Sequence, residues 1–230
     1  MYYYDSSSLI FLLPALIFAL WAQARVKSTY KRYSRVTGSR GITGAQVART
    51  ILDQNGLHNV QVEHISGSLT DHYDPRGDVV RLSDGVYGSA SISAVGIAAH
   101  ECGHAVQHAE RYTPLVFRNT IIPVTNIGSK LSVPLILIGA LINSYPLILL
   151  GILAYSLMAV FQLITLPVEF NASARAMDTI TSGYILDDDE QRGARKVLNA
   201  AALTYVAALA SSIAQILRLL LMFSGRRNRR

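Results

Sequence analysis

Leu147 to Leu166 is an apolar run of about twenty residues with no charge in it, long enough to cross the hydrocarbon core of a bilayer as a helix. Lipid offers no partner to backbone N–H and C=O groups, so a helix is the form such a run takes. Three further stretches are apolar: about Ser8 to Ala24, Leu115 to Ile142, and Val197 to Phe223. Half of the 230 residues are hydrophobic and 16% are charged, against roughly 25% charged in soluble proteins. The fold class expected is therefore a mainly α integral membrane protein, with about four transmembrane helices and a small α+β domain. Leu115 to Ile142 carries Pro123, Asn126, Lys130 and Pro134, and Asn143-Ser144-Tyr145-Pro146 reads as the turn of a transmembrane hairpin over 114–166.

The first run, within 1–24, has a signal peptide as its rival, because Ala22-Gln23-Ala24 resembles a cleavage site. Met1 to Asp5 has no Lys or Arg, however, and the basic residues follow the run instead: Arg25, Lys27, Lys31, Arg32, Arg35 and Arg40. That pattern reads as an uncleaved anchor with its following segment in the cytoplasm. The net charge of +6 thus follows membrane topology. It is not a basic patch interleaved with aromatic residues, and nucleic-acid binding is not expected. Four spans would carry the Arg226–Arg230 tail outside, against the positive-inside tendency; the basic 25–40 segment favours a cytoplasmic position for the domain that follows the first span.

Between the first two runs, residues 25–113 read as a small α+β domain. Thr43-Gly44-Ala45-Gln46 fits a capping box, and Ala45, Val47, Ala48, Ile51 and Leu52 supply a helical stripe that Gly56 ends. Val60, Val62 and His64 alternate as a short strand, Asp71 to Gly77 is turn chemistry, and Asp78 to Leu82 reads as a second strand. That strand, with Val79, Val80 and Arg81, is expected to pair with an extended peptide.

A helix over about 93–110 follows, carrying His100-Glu101-Cys102-Gly103-His104. Two histidines four residues apart share a helix face, about 6 Å apart along the axis, and can reach one Zn²⁺. Glu101 can then take a proton from a water that the metal has acidified. Ala98, Ala99, Gly103 and Ala105 are small and let another segment approach. Cys102, the one cysteine, points off the metal-binding face and reads as a packed apolar residue.

A zinc hydrolase site needs a third protein ligand and an open position. His108 lies about 12 Å along the axis from His100, too far to share its metal. His58, His64 and His72 stand in turn or strand contexts without partner spacing. Glu169 is the better candidate, because it falls directly after the long apolar run, where an unpaired carboxylate is costly. Pro167 suits the first turn of a new helix over 167–196, followed by the last transmembrane helix over 197–223 and the basic tail 224–230.

The motifs Asp71-His72-Tyr73-Asp74-Pro75, Arg81-Leu82-Ser83, Ala98 to Ala105 and Leu166 to Ser173 together resemble the YugP-like membrane neutral zinc metallopeptidases, nearly end to end. The chain is also similar, more distantly, to HtpX-type membrane proteases. The resemblance implies a zinc metalloendopeptidase of the gluzincin kind, with one Zn²⁺ per chain, ligands His100, His104 and Glu169, and Glu101 as general base. HtpX-type enzymes carry an aspartate four residues after the glutamate ligand, and this chain has Ser173 there. Ser173, Asn171 and His108 are candidates to hydrogen-bond the ligands. Arg175, Tyr87, Tyr184 and Tyr205 are candidates to stabilise the oxyanion. Membrane or membrane-tethered polypeptides are the expected substrates. The small mass outside the bilayer suits an oligomer or a partner membrane protein. The rival readings are a non-catalytic, zinc-stapled scaffold and a transporter. A structural site has no use for Glu101, and few basic residues, Lys130 and Arg218 among them, stand within the spans.

Overall fold

Six helices and a three-stranded sheet make up the protein, seen in a computed structural model that describes residues 7–224. Met1–Asp5 and the Arg226–Arg230 tail, both used in the topology argument above, lie outside the described residues. The elements are α1 (Ser7–Tyr33), α2 (Gly44–Gln54), β1 (Gln61–His64), β2 (His72–Asp74), β3 (Val79–Leu82), α3 (Ile92–Ala109), α4 (Thr113–Leu141), α5 (Tyr145–Ser182) and α6 (Asp188–Ser224). Among the described residues, α1, α4, α5 and α6 are long and apolar enough to cross a membrane.

Two compact units divide the chain. One comprises Met1–Gln23, Phe117–Leu166 and Thr204–Arg230; the other comprises Ala24–Val116 and Pro167–Leu203. In the first, Ile148, Ile152, Leu219 and Phe223 form a small buried cluster with Ile136 and Ile216 against it. An added Cβ at Gly151 would stand 2.9 Å from the Ile136 nitrogen and the Ser132 oxygen, so the α4 and α5 backbones touch there. Close approach through small residues is how helices associate in lipid, where apolar side chains gain little by meeting one another. Leu137, Ile138, Leu150 and Leu153 remain exposed, as side chains that face lipid do.

The second unit has the larger core. Thr43 caps α2: its hydroxyl accepts from the Gln46 N–H and the Gln46 side chain accepts from the Thr43 N–H. Val47, Ile51 and Leu52 of α2, Val80 and Leu82 of β3, and Val95, Ala98 and Cys102 of α3 are buried together, with Ile180 of α5 among them. Ser91 caps α3, accepting from the Ala94 N–H at 3.2 Å.

Three sequence expectations change here. The sheet order is β1-β3-β2, so β3 is the central strand, parallel to β1 and antiparallel to β2. Val79, Val80 and Arg81, expected to pair with substrate, therefore have no free edge; Val79 and Val80 are buried as a central strand requires. His72–Asp74, read as turn, is an edge strand. Pro167 begins no new helix, because α5 runs through it to Ser182, just as α4 runs through Pro123 and Pro134.

Candidate metal centre

The site forms where α3 meets the later part of α5. Gly103 permits the meeting: a Cβ there would lie 2.7 Å from the Ala172 carbonyl oxygen and 3.2 Å from its Cα. Only a residue without a side chain lets the two backbones come this close. One turn of α5 before Ala172, Glu169 thereby reaches the histidine face of α3.

His100 Nε2 lies 3.3 Å from Glu169 Oε2, and His104 Nε2 lies 3.6 Å from the same oxygen. Glu169 is 4% exposed, and its Oε2 has no hydrogen-bond partner. A tetrahedral ion with bonds of 2.0–2.1 Å separates its ligand atoms by about 3.4 Å. Both spacings fit that edge and are long for hydrogen bonds. A buried, unpaired carboxylate oxygen facing two imidazole nitrogens at this spacing fits a cation between them. Two nitrogens and one oxygen are a donor set that suits zinc.

The outward nitrogens of the two rings are held as well. His100 Nδ1 is 3.1 Å from Ser173 Oγ. His104 Nδ1 is 3.0 Å from Gln107 Oε1. The orientation of Gln107 follows from its other contacts: its Nε2 donates to the Val168 carbonyl at 2.8 Å and to Asn171 Oδ1 at 2.9 Å. A carbonyl only accepts, so the Gln107 oxygen must face His104, whose Nδ1 then carries the proton and whose Nε2 lone pair is free for a metal. Asn171 Oδ1 also accepts from Arg175 Nε at 2.8 Å, and Arg175 donates to Glu110 Oε2 at 2.6 Å. The guanidinium beside Glu110 holds that carboxyl below the usual glutamate range.

Glu101 lies outside the three-residue cluster. Its Oε2 accepts from the Tyr73 N–H of β2 at 3.1 Å. The Tyr73 hydroxyl is 3.1 Å from Asp78 Oδ1 and 2.9 Å from His108 Nδ1. Burial, with Asp78 close by, raises the Tyr73 phenol well above its ordinary pKa.

The comparisons with known proteins bear on this geometry. Residues 8–224 match the family described as "Putative neutral zinc metallopeptidase". The chain belongs to that neutral zinc metallopeptidase family. It is 52% identical over 216 residues to the "Putative membrane protease YugP" of Bacillus subtilis strain 168, covering 94% of this chain and 96% of that one. No solved structure matches this chain at a significant level. The zinc metallopeptidase family and the membrane protease relative agree with four membrane-length helices and a cluster able to hold a metal ion.

Within this zinc metallopeptidase framework, several candidate residues stand elsewhere. Arg175 is engaged by Asn171 through its Nε and by Glu110 through one terminal nitrogen. Tyr184 is exposed, at a positive φ of 51°, in the turn after α5. Tyr87 packs against the core and the His64 ring, and Tyr205 belongs to the other unit. His108 bonds the Tyr73 hydroxyl, and its hydrogen bond goes to neither His100 nor His104. His58 pairs with Asp53, His64 with Asp84, and His72 with the Thr70 carbonyl. Cys102 is fully buried with its thiol directed at the Ala48 carbonyl, and burial pushes its pKa up. Sequence reading missed Gln107 and Tyr73. The signal for Gln107 is its place three residues after His104, one turn along the same face.

Proposed function

We propose that this chain is a membrane-embedded zinc endopeptidase. The observation that carries the reading is the buried, partnerless Glu169 Oε2, set at tetrahedral-edge spacing from two histidine nitrogens, with Glu101 next in sequence to one of them. His100, His104 and Glu169 hold the metal, one ion per chain. Zinc there supplies Lewis acidity, making water easier to deprotonate and the scissile carbonyl more electrophilic.

Glu101 does the proton work. It takes a proton from the attacking water and delivers it to the leaving amine nitrogen. The Tyr73 N–H hydrogen bond steadies that carboxylate and ties it to the edge strand β2. Strand pairing passes accordingly from the enclosed β3 to β2, whose open side faces α3. An extended peptide laid along β2 by main-chain hydrogen bonds runs past the carboxylate that must act on it. The membrane-length helices favour membrane or membrane-tethered polypeptides as substrates, and the basic flank after the first span favours a site on the cytoplasmic side.

The test compares detergent-purified wild type and Glu101→Gln for zinc content and for cleavage of an unfolded model protein. About one zinc in both, with cleavage lost by at least about a hundredfold in the variant, is the result expected when the general base is removed. Equal cleavage by both would sink the assignment of Glu101. Zinc in neither would sink the ligand set.

A further inference from the structure

A basic cavity of about 280 Å³ lies between α1 and α6, away from the metal centre, lined by Arg25, Ser28, Thr29, Arg32, Tyr33 and Lys196. Arg25, Ser28, Thr29 and Arg32 fall at i, i+3, i+4 and i+7, so one face of α1 presents all four. Lys196 comes from the facing helix. The two helices are drawn together beside it, since a Cβ on Gly193 would stand 2.7 Å from the Tyr33 ring. Arg32 lies over that ring at 5.5 Å. Among the described residues, no carboxylate forms an ion pair with Arg25, Arg32 or Lys196, whereas Arg49, Arg175 and Arg192 each have one and Arg81 has two. Arg25, Arg32 and Lys196 are all solvent-exposed, so the hollow is an open basic pocket that attracts an anion.

The positions of these residues along the chain name the anion. Arg25 follows the apolar run of α1 directly, after the exposed Leu20 and Trp21. Lys196 directly precedes the apolar stretch that starts at Val197. Both helices therefore reach this cavity at the level where a span enters the headgroup region, and basic pockets between helices at that level suit anionic lipid phosphates. We propose that the Arg25–Arg32–Lys196 cavity binds the phosphate headgroup of an anionic phospholipid. The guanidinium groups and the ammonium contact the phosphate oxygens, and the hydroxyls of Thr29 and Tyr33 offer further donors. This site is independent of the peptidase reading and stands if that reading fails.

The test titrates the full chain, purified in a non-ionic detergent, with phosphatidylglycerol, phosphatidylcholine or inorganic phosphate, and counts bound lipid by native mass spectrometry. Phosphatidylglycerol should bind at least about tenfold more tightly than phosphatidylcholine, and inorganic phosphate should not displace it. The triple variant Arg25→Gln/Arg32→Gln/Lys196→Gln should lose on the order of a hundredfold in phosphatidylglycerol affinity, while Arg35→Gln/Arg40→Gln/Arg76→Gln stays within about threefold of wild type. Should the first triple variant fail to fold, Arg32→Gln alone, expected to lose about fivefold, decides the matter. An equal loss in both triple variants would reduce the effect to general surface charge and overturn the site. Displacement by inorganic phosphate would make it a free-phosphate site, and equal binding of the two lipids would remove headgroup selectivity; either result overturns the proposal.

Discussion

The Gln107 amide bridges the two helices of the metal centre: its nitrogen serves α5 through Val168 and Asn171, and its oxygen serves His104. Gln107→Ala should leave the His104 Nδ1–H unpaired and the ring free to turn, weakening zinc binding by roughly 10- to 100-fold in competition with a chelator. Gln107→Glu keeps an acceptor for His104 and loses the donors to α5, so it should recover part of that loss. An affinity unchanged in Gln107→Ala would show that the ring is held by packing alone. Further along the same chain of contacts, Arg175 depresses the pKa of Glu110. A depressed carboxyl adds stability above its unfolded pKa and loses it as the pH falls through the lowered value. The melting difference between wild type and Glu110→Gln should thus be present at neutral pH and vanish in acid, and it should be small because Glu110 is half-exposed and screened. Of the residues here, His100, Glu101, His104 and Glu169 could be picked out from sequence by spacing and by the cost of a carboxylate at the end of an apolar run. Gln107 could not, because its importance depends on what α5 places opposite it.

Elements were legible where periodicity had room to show. The capping box of α2 and the helical stripe behind it gave that helix close to its observed bounds, and each long apolar run marked one membrane-length helix, although α1, α5 and α6 extend well beyond theirs. β2 is three residues long, bracketed by Asp71 and Pro75, so turn chemistry outweighed alternation too brief to read. The prolines misled for another reason. Pro ends a helix in water, but in long apolar helices neighbouring groups and local adjustments satisfy the freed carbonyl, and α4 and α5 continue through theirs. The α3–α5 crossing at Gly103 is the element-scale feature most exposed to a single change. In Gly103→Ala the new Cβ meets backbone, which cannot rotate away, and α5 must move. Overpacking of this kind costs about 1–3 kcal/mol. Because Glu169 rides on the displaced helix, the variant should melt lower and also bind zinc more weakly. A lowered melting temperature with unchanged zinc affinity would mean that the crossing stabilises the fold without setting the ligand spacing.

Across the whole chain, the parity of the spans decides which segments share a side of the membrane. A crossing by α1 delivers residues 24–116 to one side, α4 leaves it, and α5 returns there with Pro167 onward. The compact unit that holds Ala24–Val116 together with Pro167–Leu203 is the grouping this parity demands. A carboxylate some 65 residues after the histidine pair, Glu169, is thus reachable because a two-span excursion closes on itself. The same side receives Arg25, Lys27, Lys31, Arg32 and Arg35 after the first span, and Arg192, Arg195 and Lys196 before the last, a strongly basic flank. This side should be the cytoplasm. Cys102 is buried and can be replaced by Ala, after which a single cysteine at the exposed Ser66 reports on the side that carries the metal centre. A membrane-impermeant maleimide should label Ser66→Cys in inverted vesicles or permeabilised cells and leave it untouched in intact cells. Labelling in intact cells would place the metal centre outside and make exported or surface-exposed polypeptides its substrates.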